Sequence, residues 1–159
     1  MRIRRTWAAF LAIVSLVVAL WFLSRPHLFV AAPDRLLAIH PAKAGMEFST
    51  RFLHSVQQTP VEEFFTVNEA RQGFVLVRTR YQSFGVGLPF LAADGTFQSE
   101  DGSFSMADMD RPLPRLDLRP GLGTNLTLTI DGATYPLYAL VPPGTLIRIY
   151  LAPYYHRWL

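Results

Sequence analysis

From about residue 36 to the end of this chain, apolar and polar side chains mostly alternate with a period of two, the signature of half-buried strands. Leu36–Ile39 is a short apolar strand, closed by His40-Pro41. Met46–Val56 follows, with Phe48, Thr50, Phe52, His54 and Val56 on one face. After Gln57-Gln58-Thr59-Pro60 comes Val61–Val67, with Val61, Glu63, Phe65 and Val67 pointing one way and Glu62, Phe64 and Thr66 the other. Phe74–Tyr81 alternates with Val75, Val77 and Tyr81 expected inward and Arg78 and Arg80 outward. Residues 82–89 form a loop with Gly85 and Gly87, and 90–100 are poorly patterned. Asp101-Gly102 is a turn signal before a short strand at 103–106, and 108–114 reads as loop. Strands are expected at 115–119, 125–130, 134–140 and 145–152. Asp131-Gly132, between two of them, is the strongest hairpin signal in the chain.

About eight short strands, separated by turn signals and without an amphipathic helix, predict an all-β domain. A single antiparallel β-sandwich or small barrel is the expected architecture.

The N-terminus breaks the pattern. Trp7–Leu23 is an apolar run of 17 residues interrupted only by Ser15, which as a helix spans about 26 Å, close to the thickness of a bilayer core. Trp7 and Trp21 fall near its ends, where aromatic rings favour the headgroup region. Arg2, Arg4 and Arg5 precede the run and Arg25 follows it, so the positive-inside rule keeps the N-terminus in the cytoplasm. The organisation expected is a basic cap at 1–5, a transmembrane signal anchor at 6–24, a tether at 25–34 and an extracytoplasmic β-domain at 35–159. A cleaved signal peptide is the rival. Val30-Ala31-Ala32 suits a peptidase, but Pro33 directly after the cut would hinder it.

Charge changes the picture once the cap is set aside. The whole chain carries 15 basic and 12 acidic residues. All acidic residues lie from Asp34 onward, so the domain holds eleven basic against twelve acidic groups, a net charge of −1. That balance gives no basic face for nucleic acid. There is no cysteine, hence no disulfide, thiolate metal site or cysteine nucleophile.

The densest chemistry lies in 54–63. His54 and Ser55 are neighbours on a strand and point to opposite faces, so they cannot form a dyad with each other. A serine hydrolase would need His54 to meet another hydroxyl such as Ser83, and no Gly-x-Ser-x-Gly elbow is present. A metal site would need His54 with Glu63 and Asp101, a thin ligand set, so no metal and no cofactor are expected. The structural reading is a His54 imidazole paired with Glu62 or Glu63 beside Tyr81 and Ser83, locking a hairpin to a loop. Gly85 and Gly87 then permit positive φ, or form an amide nest for an anion.

His54-Ser55-Val56, Thr59-Pro60-Val61-x-Glu63, Ser83-Phe84-Gly85-x-Gly87-Leu88-Pro89 and Asp101-Gly102 occur in this order. This set resembles the small bacterial proteins grouped as domain of unknown function 1850, over roughly residues 36–151. Val86 stands where the pattern has alanine. The resemblance implies a membrane or export segment and genes often placed beside TAXI-type TRAP transporters, which take up organic acids. An accessory or binding module in the periplasm follows as the expectation, anchored in the bacterial inner membrane. Its partners would be the transporter's membrane subunit or solute-binding protein. The alternatives from other classes are an envelope hydrolase or metal-dependent enzyme using His54 and Glu63, and a structural envelope protein.

Overall fold

The computed structural model describes residues 2–83, 91, 93–100 and 102–158, and the side chains at all of these except 2–6, 8, 9 and 100. Helix α1 spans Arg2–Leu23. The strands are β1 (Pro26–Ala31), β2 (Leu36–Pro41), β3 (Glu47–Leu53), β4 (Pro60–Val67), β5 (Phe74–Tyr81), β6 (Thr96–Glu100), β7 (Ser103–Ala107), β8 (Arg111–Leu113), β9 (Leu116–Leu118), β10 (Thr127–Ile130), β11 (Ala133–Tyr135) and β12 (Ile147–Pro153). A short helix α2 (Leu137–Leu140) follows β11, and a 3-10 helix (Tyr154–Trp158) follows β12.

The strands form two antiparallel sheets. The smaller runs β2-β1-β12-β9, and the larger runs β11-β10-β3-β4-β5-β7-β6, with β8 paired to the upper part of β5. Their inner faces share one core. Leu28, Val30, Ile147 and Ile149 come from the small sheet, and Phe48, Phe65, Phe74, Leu128 and Ile130 from the large one. Phe48 stacks on Phe65 at 5.0 Å and meets the edge of Phe74 at 4.9 Å. The all-β expectation holds in its two-sheet form.

Several local expectations hold for identifiable reasons. Asp131 and Gly132 take φ of 50° and 79°, and Ile130 pairs with Ala133, a two-residue turn whose twist suits the flanking strands. Leu126, Leu128 and Ile130 are buried as their alternation requires. Gly102, at φ 76°, helps close the connection between Glu100 and Ser103.

Others are corrected. The tether expected at 25–34 contains β1, an interior strand of the small sheet that pairs with both β12 and β2. Only Ser24 and Arg25 separate it from α1. In β5 Tyr81 is buried as expected, but Val75 and Val77 are not the inner face. Phe64 pairs with Arg78 and Phe65 with Leu76, so Val77 is an extra residue, a bulge that flips the alternation. Phe74, Leu76, Thr79 and Tyr81 are the buried positions. The strand expected to reach Leu140 stops at Tyr135, because Pro136 has no N–H for the ladder and α2 begins just after it. Residues 96–100 and 111–113, without strand patterning, are edge or partial strands held by β7 and β5.

The described side chains of α1 between Trp7 and Phe22 are all exposed. Among the described residues no helix is long and apolar enough to cross a membrane. The crossing expected for 6–24 is therefore not supported by them.

Candidate functional site

Strand β3 ends at Leu53, one residue before His54, so His54 is not on a strand face. It opens a tight turn instead. Its N–H donates to the Thr59 carbonyl at 2.9 Å, and its own carbonyl accepts from Gln58 N–H at 2.9 Å. Gln58 takes φ 54° to close the loop. The imidazole Nδ1 accepts from the Val56 and Gln57 amides at 3.3 and 3.2 Å. A ring nitrogen that accepts two backbone N–H groups is unprotonated, so the neutral ring carries its proton on Nε2. His54 thus caps the turn as an Asp or Asn commonly does, and Nε2–H has no acceptor among the described residues.

Glu63 lies on the inner face of β4, as the alternation requires. Its cross-strand neighbours are Thr50 on β3 and Thr79 on β5, not His54. Thr50 and Thr79 are fully buried, which makes a polar row through an otherwise apolar layer. The Thr50 hydroxyl donates to Glu63 Oε2 at 3.2 Å, and Thr79 Oγ1 lies 3.6 Å from Met109 sulfur. Burial pushes the Glu63 carboxyl above its ordinary value, against the smaller opposing effects of the Thr50 hydrogen bond and the Arg111 charge.

His54 and Glu63 do meet, across a hollow. A cavity of about 460 Å³ at the edge between the sheets is lined by His54, Ser55 and Glu63 from the large sheet's side. Asp117 and Leu118 of β9 and the following Arg119 line the opposite wall, and Thr124 borders it. Phe52, Leu53 and Leu126 supply the rest of its apolar surface. Asp117 is held by Arg115 at 3.2 Å, and Arg119 Nη1 donates to the Gly144 carbonyl at 2.7 Å. The remaining Arg119 N–H donors and the His54 Nε2–H give the hollow donors beside the Glu63 and Asp117 carboxyls and an apolar lining. That is the make-up of a site for a small ligand with an acceptor-rich head.

The other residues singled out from the sequence go elsewhere. Thr59 serves the turn through its carbonyl. Glu62 points outward, 3.5 Å from Arg51, and borders a separate hollow of about 250 Å³ with Arg80 and Tyr81. Tyr81 is buried, its ring 5.9 Å from Phe104. The expected lock of His54 with Glu62 or Glu63 is replaced by two independent arrangements, one on the turn backbone and one on Thr50. Ser83 Oγ is buried and has no hydrogen-bond partner among the described residues. Gly85, Gly87 and Asp101 lie outside the described residues. Among the described residues no three His, Asp or Glu side chains gather closely enough to hold a metal ion.

Sequence reasoning missed Asp117, Arg119 and Thr124. Asp117 and Arg119 enter through β9 of the small sheet, and Thr124 through its carbonyl, which accepts from Leu53 N–H at 2.7 Å; neither contact has a local signature. A larger hollow, about 720 Å³, is a trough on the outer face of the large sheet where Arg78 lies 4.0 Å over the Phe64 ring. We favour the smaller cavity because groups from both sheets and a shielded carboxyl converge there.

The profile of a family described as Domain of unknown function (DUF1850) matches residues 48–137. None of the curated proteins and none of the solved structures matches the chain. The matched stretch runs from β3 to the start of α2 and so contains nearly all of the large sheet, with His54, Ser55 and Glu63.

Proposed function

The chain belongs to the family of domain of unknown function 1850, and from that premise we propose that it is a membrane-anchored periplasmic binding module serving a solute transporter. The inter-sheet cavity is the observation that carries the binding reading. It joins Arg119 and the His54 Nε2–H to apolar walls, a combination that suits a small organic acid: cation and donor for the carboxylate, leucines and phenylalanine for the body. The anchor is read from the sequence, from the apolar run Trp7–Leu23 and the arginine excess before it. Association with a TAXI-type transporter comes from the family resemblance alone. Binding is favoured over hydrolysis because His54 Nδ1 is committed to two backbone amides, which removes the orienting carboxylate a catalytic imidazole uses.

The test is a thermal-shift screen of the full chain in mild detergent against small mono- and dicarboxylates, beside Arg119→Gln. At least one acid should raise the melting temperature of the wild type and leave the variant unmoved. No shift with any acid defeats the binding reading. Failure to co-purify with an abundant transporter membrane subunit defeats the accessory one.

A further inference from the structure

The two ends of the domain leave it at one point. Tyr154, just beyond β12, donates its N–H to the Arg25 carbonyl at 3.0 Å, and Pro153 pairs with Pro26. The C-terminal 3-10 helix therefore lies against the exit of α1. Its Tyr154 ring is the hub. It sits 6.1 Å from Phe22, 4.8 Å from His27 and 5.5 Å from Trp158, and its hydroxyl accepts from Arg157 Nη1 at 3.0 Å. The Arg25 guanidinium lies 3.7 Å over the Trp21 ring. Around this hub Trp21 and Trp158 are exposed at 57% and 64%, and Tyr155 at 45%. No acidic residue occurs before Asp34 or after Asp131, so neither segment that builds the hub brings an acidic side chain to it.

We propose that this collar of Trp21, Tyr155 and Trp158 with Arg25 and Arg157 is a seat for the lipid headgroup layer, on which the domain stands. The inference rests on the reading of α1 as a membrane helix and adds a second, independent lipid contact made by the far end of the chain. Amphipathic indole and phenol rings settle at the depth where apolar chains give way to water, and guanidinium groups pair with lipid phosphates. A protein partner is disfavoured by size, since a stable interface needs about 800 Å² per side and the collar is a handful of side chains ringing a helix end.

The test uses the full chain with Trp7→Phe and Trp21→Phe, which leaves Trp158 as its single tryptophan, in phosphatidylethanolamine–phosphatidylglycerol vesicles. Flotation with the vesicles reports the anchor. Trp158 emission should shift to the blue, be quenched more by lipids brominated near the carbonyl than by lipids brominated at the chain end, and be shielded from aqueous acrylamide. Adding Arg25→Gln and Arg157→Gln should weaken the shallow quenching while flotation persists. A chain that floats with Trp158 open to acrylamide and blind to brominated lipid assigns the rings to a protein partner and overturns the proposal, leaving the anchor intact. A chain that does not float overturns the anchor and the seat together.

Discussion

Removing residues up to Ala32, the cut that hydropathy alone invites, should unfold the domain rather than free it. Strand β1 lies inside the small sheet, and Leu28, Phe29 and Val30 are 0%, 1% and 0% exposed. Burying one such side chain contributes about 1.5–3 kcal/mol, so losing three removes roughly 5–9 kcal/mol. The whole stability of a domain is about 5–15 kcal/mol. Their departure also strips the facing edges of β2 and β12 of backbone partners. A chain of residues 25–159 keeps the strand and loses only α1, whose contacts with the domain fall on the C-terminal 3-10 helix. Circular dichroism melts of 25–159 and 33–159, purified side by side, decide the matter. The longer chain should melt cooperatively with a strand-rich spectrum, and the shorter one should show no transition. Leu28→Ala in the full chain calibrates the scale, with an expected loss of about 2–5 kcal/mol. If 33–159 melts as sharply and as high as 25–159, β1 is dispensable and the assigned core is wrong.

Two further outcomes follow from the site. Because burial raises the Glu63 carboxyl, the folded state keeps a proton that the unfolded chain has released. Stability is therefore unaffected below the ordinary carboxylate range, falls as pH rises through the interval up to the folded value, and stays lower above it. Glu63→Gln should flatten that interval and raise stability at neutral pH in denaturation series, and an unchanged slope would show that the carboxyl is already solvated. His54→Ala leaves two turn amides without their acceptor and should cost about 0.5–1.5 kcal/mol per hydrogen bond, with His54→Asn recovering part by chemical denaturation. Equal stability of all three proteins would remove the capping role.

The legible parts of this molecule were those decided by neighbours in sequence. Asp131-Gly132 announces its turn because few other pairs tolerate two consecutive positive φ angles, and Leu126, Leu128 and Ile130 announce a buried face by spacing alone. Glu63 was placed on the inner face of β4 by the same rule. Four features have no local signature, each for a long-range reason. Val77 is inserted into β5, so the alternation that places Tyr81 inward and Arg78 and Arg80 outward fails on the other side of the bulge, where Phe74 and Leu76 are buried in place of Val75 and Val77. Pro26–Ala31 begins with a proline shortly after an apolar helix, so it resembles spacer, and only its partners β2 and β12, the latter more than a hundred residues away, make it a strand. His54 shares its alternation with Phe52, yet the strand ends between them because the Leu53 N–H donates to the Thr124 carbonyl and the chain turns. The far wall of the cavity, Asp117 and Arg119, belongs to the other sheet and could be found only once the two sheets were laid together.

The joint at Ser24-Arg25 has no slack. Ser24 N–H still bonds to the Leu20 carbonyl, Arg25 N–H to Phe22, and Pro26 is already in the ladder. A domain on a leash would sweep a wide arc to find its partner. On the proposed reading, in which α1 sits in the bilayer, this one would stand on a post. The hollow beside His54 would then keep one height and one compass bearing, and whatever delivers or collects the proposed ligand would have to come to it. A lean of the post, imposed by a neighbour within the bilayer, would swing the whole module with it, because no swivel lies between them.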